Sequence, residues 1–426
     1  MRVGAEVTIR TNEIISFGSF GPFETFGSFE TFGSFGPFGG AARPNARTIR
    51  TIRTTRTTGF YNVRVPSAIR RDIGQLLIGS LPGKSVTPEM RSLARDFSLG
   101  GIIFFARNIE APEQVAELSH DVQALASSLP LWVSVDQEGG RVARLKAPFT
   151  VWPPMATLGR SGNEELARRF AKALATELRA VGITLDYAPV LDIHTNPKNP
   201  IIGDRALAED ADSVARLGAA IIQTLQNNGV AACGKHFPGH GDTSVDSHLD
   251  LPLIEHPPDR IRRVELVPFR EAIKAGVAFI MTAHVFVPSL DEEKPATLSR
   301  RVVQGMLRDE LGFPGVILSD DLEMKAIAKT YAVPDAAVEA IAAGCDGLLI
   351  CSGDVNVQAA TLEALVRAVE RDVIPYKRLE DALTRNRAAK ERFLAAPVAM
   401  NQRAQLRHVL GCDEHQRIVD EMARYV

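Results

Sequence analysis

The apolar run GVIL at residues 315–318 is followed directly by Ser319, Asp320 and Asp321. A carboxylate at the end of a buried strand, kept ionised by nearby cations, can act as a nucleophile towards the anomeric carbon of a sugar. Asp320 is the candidate. Adjacent side chains on a strand point in different directions, so Asp321 is expected to do another job, as the N-cap of a helix beginning near Leu322. A second feature lies in the glycine-bearing loop 239–248, where His248 follows Asp246 by two residues. An aspartate bonded to one imidazole nitrogen fixes the tautomer and raises the basicity of the other. Such a pair can give and take a proton near neutral pH, and a mobile loop would let His248 swing over a bound ring. Lys235 and Arg205 are permanent donors suited to the hydroxyls of an uncharged substrate. One chemistry open to these residues is displacement at a glycosidic carbon. Asp320 would be the nucleophile, and an imidazole would stand where most glycosidases place a second carboxylic acid.

Such residues need a scaffold that brings distant segments together. From about Pro66 onward, short apolar runs alternate with longer amphipathic stretches. The runs lie at 101–105 (GIIFF), 131–135 (LWVSV), 183–189 (ITLDYAP), 230–233 (VAAC), 277–281 (VAFIM), 315–318 (GVIL) and 347–350 (GLLI). A run at 75–78 could be an eighth strand or part of a helix. Helices are expected at 111–127, 163–180, 212–228, 260–275 and 333–343, and from about Asp354 the chain reads as helical. Runs that are apolar throughout fit strands buried on both faces of a parallel sheet. Seven or eight such units in one chain predict an α/β fold, a (β/α)8 TIM barrel forming a single catalytic domain. An open doubly wound sheet is the alternative, but no glycine fingerprint for a nucleotide follows a strand. Barrel active sites sit at the C-terminal ends of strands. Polar residues cluster there after five successive runs: 136–141, 203–205, 235–248, 282–284 and 319–321.

The barrel is expected over residues 65–395, with a helical tail at 396–426. Residues 1–64 differ in kind. Phe recurs every third position from Phe17 to Phe38, and Arg every third position from Arg47 to Arg56. A period of three lines neither a helix face nor a strand face, so this segment is expected to be a disordered or wrongly assigned extension. The net charge of −2 gives no reason to expect a nucleic acid or membrane partner. Four cysteines without paired spacing suit reduced thiols. Neither a long apolar span nor a secretory leader is evident, and the expected compartment is the cytoplasm.

The stretch KHFPGHGDTSVDSH resembles the signature of family 3 glycoside hydrolases in their NagZ-type β-N-acetylglucosaminidase branch. VDQEGGRVARL, NPIIGDR and GVILSDDLEM are similar to that family's other motifs, in the same order, and the likeness spans about residues 67–395. The resemblance implies a retaining two-step mechanism with Asp320 as nucleophile, His248 as acid/base and Asp246 as its partner. It further implies that Asp136, Arg144, Arg205, Lys235 and His236 hold a terminal N-acetylglucosamine. The substrate it implies is a small carbohydrate, a cell-wall muropeptide or a chitooligosaccharide, and neither metal nor other cofactor is implied.

Other readings stay open. His236, His240, Asp242, Asp246 and His248 could suggest a metal-dependent hydrolase, although His240 and Asp242 also suit hydrogen bonds that shape the loop. A non-catalytic sugar binder is compatible with the fold. Within the family, a β-glucosidase shares the barrel, and an imidazole acid/base would tolerate phosphate as nucleophile, making a phosphorylase. His284 reads as structural, substrate-wall or catalytic. Trp132 is expected in the core and Trp152 at the surface, where it could stack on a sugar.

Overall fold

The computed structural model describes residues 67–243, 247, 250–395 and 403–426. The repetitive Phe and Arg segment, Asp246 and His248 lie outside the described residues. Eight parallel strands close a barrel: β1 (Leu77–Ser80), β2 (Gly101–Phe104), β3 (Trp132–Val135), β4 (Leu185–Asp186), β5 (Ala231–Phe237), β6 (Phe279–Thr282), β7 (Val316–Asp321) and β8 (Gly347–Leu349). Each strand pairs with its neighbours in sequence, and β8 pairs back onto β1. The ambiguous run at 75–78 thus supplies a strand, preceded by the short helix Ser67–Gly74.

Alternation along each strand divides two cores. Ile102, Val133, Ala232 and Ile317 face outward into the layer shared with the helices. Ile103, Trp132, Cys233, Val316 and Leu318 face the barrel axis. The axis is filled rather than open. Trp132 meets Phe279 edge-on at 5.2 Å, and Phe393, near the end of helix Tyr376–Leu394, approaches Trp132 at 6.2 Å. Trp132 is a core residue, as expected.

The outer ring includes helices Pro88–Phe97, Pro112–Gln123, Glu164–Ala180, Ala211–Asn227, Val333–Ala343 and Val355–Glu370. Helix Glu164–Ala180 starts where the Asn163 side chain accepts from the backbone of Glu165 and Leu166, which satisfies donors that have no partner within the helix. The single helix expected at 260–275 is two, Pro258–Arg263 and Val267–Lys274. Pro268 explains the second start, because a proline is tolerated in a helix's first turn but not in its interior.

Trp152 corrects the surface reading. It is 3% exposed and packs edge-on against Phe170 at 5.0 Å. The C-terminal helix Asp413–Met422 brings His415 to 6.4 Å from its ring, and Leu406, Ile418 and Met422 of the last helices are buried in the main core. Glu177 fastens this region. Its carboxylate accepts from the backbone of Gly411 at 2.8 Å and of Thr150 at 2.9 Å, and meets His415 Nδ1 at 2.8 Å. Among the described residues, no helix is long and apolar enough to cross a membrane.

Candidate active site

Strand parity places the candidate residues. Side chains two apart on a strand share a face. Val316 and Leu318 point to the barrel axis, so Asp320 does too, one layer higher. Cys233 likewise leads to Lys235, Trp132 leads through Ser134 to Asp136, and Ile103 leads to Phe105. These four residues meet at the C-terminal mouth in a cavity of about 490 Å³. Arg144, Arg205 and His236 line the same cavity, so all six described residues expected in the site are brought together. Ser247, between Asp246 and His248 in sequence, also lines it.

The centre is a buried charge network. Lys235 Nζ lies 2.8 Å from Asp136 Oδ1 and 2.7 Å from Glu138 Oε1. Arg205 grips Glu138 with two parallel bonds of 2.8 Å, the fork geometry of a strong charge-assisted pair. Arg144 Nη2 stands 3.4 Å from Asp136 Oδ2. Burial alone would raise the Glu138 pKa, but Arg205 and Lys235 outweigh it and hold the carboxyl far below its ordinary value. Burial would likewise lower the Lys235 pKa, yet Asp136 and Glu138 drive it well up. Lys235, Arg205 and Arg144 thus surround Asp136 and Glu138 with positive charge.

Asp320 is buried at the end of β7. Burial pushes its pKa up, but His284, His236, the Asp321 backbone N–H and Lys235 together bring it below the ordinary aspartate value. The N–H of Asp321 donates to Asp320 Oδ1 at 2.8 Å. This carboxylate is ionised at neutral pH, as a nucleophile must be. Asp321 contrasts with it: burial and the nearby charges of Glu323 and Asp320 raise its pKa to about 7. The N-cap expectation for Asp321 is not met, since the next helix is Lys325–Ala328, capped at Met324. Asp321 Oδ1 instead accepts from the backbone of Glu323 at 3.1 Å and of Cys351 at 3.3 Å, tying the ends of β7 and β8 together.

Two carboxylates had no role assigned from sequence. Glu138 sits in a small hairpin, Gln137–Gly139 against Val142–Ala143, that turns through Gly139 (φ 112°) and Gly140 (φ 55°). Positive φ at two successive positions favours glycine, so the GG pair in VDQEGGR was the available signal. The other is Asp192. Its Oδ2 lies 2.6 Å from His236 Nδ1, and its Oδ1 accepts from the backbone of His240 at 2.7 Å. Asp192 thus fixes a proton on His236 Nδ1, and the ring lines the cavity.

His240 and Asp242 shape the loop. His240 Nδ1 meets Thr243 Oγ1 at 2.8 Å and Nε2 meets Ser247 Oγ at 3.1 Å. Burial lowers the His240 pKa to about 4, so the ring is neutral. Asp242 pairs with His256. Hydroxyls occupy both nitrogens of His240, and among the described residues no group of three ligand-type side chains converges as a metal site would need.

The glycosyl hydrolase family 3 N terminal domain matches residues 68–387. The chain belongs to glycoside hydrolase family 3. This family 3 hydrolase is 42% identical over 286 residues to a β-hexosaminidase of Thiobacillus denitrificans, which covers 66% of this chain and 79% of that one. Its fold is similar to a family 3 β-N-acetylglucosaminidase from Paenibacillus sp., with a TM-score of 0.80 and 42% identity over 84% of this chain and 68% of that one. NagZ from Neisseria gonorrhoeae, solved in complex with N-trifluoroacetyl-D-glucosamine, aligns with a TM-score of 0.67 and 32% identity over 82% of this chain and 97% of that one. The family 3 hydrolase thus falls in the NagZ-type branch that its motifs resemble.

Glu138 gives a stability prediction. Removing one partner of a buried ion pair strands the other charge and costs about 3–5 kcal/mol. Glu138→Ala should lower the urea-unfolding free energy by roughly that amount, because it leaves Arg205 without its carboxylate. A loss below about 1 kcal/mol would mean that water reaches and solvates the pair. The sign of the pH effect follows from the depressed pKa. The stabilisation is complete above the ordinary glutamate value of 4.5, declines steadily as pH falls below it, and is gone once pH has passed through the much lower folded value.

Proposed function

We propose that this family 3 hydrolase is a retaining β-N-acetylhexosaminidase. It would remove terminal β-linked N-acetylglucosamine from small glycans through a covalent glycosyl-enzyme on Asp320, with His248 and Asp246 as the acid/base dyad. In the first step an Asp320 oxygen attacks the anomeric carbon while protonated His248 gives its proton to the departing oxygen. In the second step neutral His248 takes a proton from water, whose oxygen displaces Asp320 and restores the β configuration. Asp246 holds the imidazole tautomer. Asp136, Arg144, Arg205, Lys235 and His236 grip the sugar's hydroxyl and acetamido groups.

The observation that carries this reading is the buried, ionised Asp320 on the axial face of β7, within a balanced set of donors and acceptors. Ser247, the residue between the dyad's two members, lines the same cavity. An imidazole acid also adds no further negative charge to a mouth that already holds Asp136, Glu138 and Asp320. The substrate is proposed to be an N-acetylglucosamine-containing muropeptide, met in the cytoplasm, in keeping with the NagZ-type branch. The deciding experiment traps the intermediate with a 2-deoxy-2-fluoro or 5-fluoro sugar and maps the adduct by mass spectrometry. The label should fall on Asp320, and a label on any other residue overturns the assignment.

The competing chemistries separate in one assay. Turnover of an aryl N-acetyl-β-glucosaminide should be unchanged by EDTA, and unchanged when phosphate replaces a non-nucleophilic buffer. Loss of activity with chelator would support a metal enzyme. Acceleration by phosphate, with N-acetylglucosamine 1-phosphate as product, would make it a phosphorylase.

A further inference from the structure

His284 follows β6 and is buried at 1% exposure. Each of its ring nitrogens lies against an oxygen. Nε2 is 2.9 Å from the backbone carbonyl of Asp321, and a carbonyl can only accept, so Nε2 carries a proton. Nδ1 is 2.8 Å from Thr297 Oγ1. That hydroxyl also lies 2.9 Å from the carbonyl of Ala283 and 2.9 Å from Thr282 Oγ1. Thr297 has a single proton. The buried Ala283 carbonyl can use it only as an acceptor, so with the proton placed there Thr297 Oγ1 must accept from both Thr282 and Nδ1. These four contacts are then all satisfied when both ring nitrogens bear protons. A neutral ring would instead draw the Thr297 proton to Nδ1 and leave two buried oxygens facing each other at 2.9 Å with no hydrogen between them.

We propose that His284 is held as an imidazolium against the backbone that follows Asp320 and is a positioning residue, fixing the charge of the nucleophile and the end of β7. A buried cation needs a counter-charge, and Asp320 supplies it. Among the groups that keep Asp320 ionised against its burial, His284 stands ahead of His236 and Lys235. Asp321 and Glu323 are the neighbouring acids at this end of β7. No proton leaves His284 during the reaction. Its charge stabilises the free carboxylate before attack, and stabilises it again as the departing group when water releases the sugar. The hydrogen bond to the Asp321 carbonyl holds the backbone immediately after the nucleophile.

This inference rests on Asp320 as nucleophile, and two measurements keep the ideas separable. In His284→Gln an amide can still donate one hydrogen bond but carries no charge. The acidic limb of kcat/KM for an aryl N-acetyl-β-glucosaminide should then rise by about one pH unit, a tenfold change in the ionisation equilibrium. At neutral pH kcat should fall about tenfold or more while KM changes little. A purely structural histidine would lower the yield or thermal midpoint of the variant and leave the acidic limb in place. Independently, 15N-histidine spectra of the unmodified enzyme, with His284 assigned by its absence from the variant, should show both ring nitrogens protonated at neutral pH. A neutral tautomer there, or an unmoved acidic limb, overturns the proposal. If the fluoro-sugar labels a residue other than Asp320, the functional assignment fails while the nitrogen spectra still decide the state of His284.

Discussion

Asp320→Asn is expected to lower kcat by about 10⁴-fold or more, roughly 5 kcal/mol of lost transition-state stabilisation, while binding of N-acetylglucosamine persists. The substitution is nearly isosteric, and the amide can still accept the 2.8 Å bond from the Asp321 N–H. What it removes is the negative charge and the lone pair that forms the ester bond. No neighbour can stand in. Asp136 and Glu138 are committed to Lys235 and Arg205 at 2.7–2.8 Å, and Asp321 has its pKa raised to about 7 with its Oδ1 taken by backbone donors. Titration calorimetry with N-acetylglucosamine should give a dissociation constant close to that of the unmodified enzyme, which separates lost chemistry from lost folding. Turnover within about tenfold of normal would mean that another group attacks the sugar, or that the route is not covalent.

The strands were legible where both faces are apolar, and their ends were not. The runs GIIFF and LWVSV mark β2 and β3 closely because every position faces either the axis or the helix layer. β5 and β7 continue past their apolar runs to Phe237 and Asp321. There the axial positions carry Lys235 and Asp320, whose polarity serves the cavity, so a reading based on hydrophobicity stops short at just the residues proposed to hold and attack the sugar. Asp320 and Lys235 could be singled out because each is a charged residue beside a buried run, and Arg205 because it ends a polar loop that follows one. Glu138 could not, because its role depends on a hairpin that folds back and brings Arg205 to it from 67 positions away in sequence. Trp152 failed for a related reason. It packs against Phe170 and against His415 of the C-terminal helix Asp413–Met422, a long-range packing that no local pattern around residue 152 announces. His236 and His240 both sit near polar neighbours in sequence, but the partner that orients them, Asp192, lies on the segment after β4.

His248→Ala should slow turnover by about 10²–10⁴-fold, and the size of the loss should depend on the leaving group. A sugar alkoxide departs poorly unless its oxygen is protonated, so a chitooligosaccharide or muropeptide substrate should suffer the full loss in the first step. A dinitrophenolate is stable as an anion and needs almost no proton. With that aglycone the first step should be nearly normal, and the defect should move to the second step, where the missing imidazole no longer deprotonates water. The glycosyl-enzyme should then accumulate, giving a burst of phenolate followed by slow turnover. A small anion such as azide, which needs no base to attack, should speed that slow phase and yield the β-glycosyl azide. Asp246→Asn should give a milder form of the same pattern, because the imidazole remains but loses the partner that fixes its tautomer. Equal losses for sugar and dinitrophenyl aglycones, without a burst, would count against His248 as the acid. The proton would then have to come from elsewhere in the mouth, and Asp321, poised at about 7, is the described carboxyl with a suitable affinity for one.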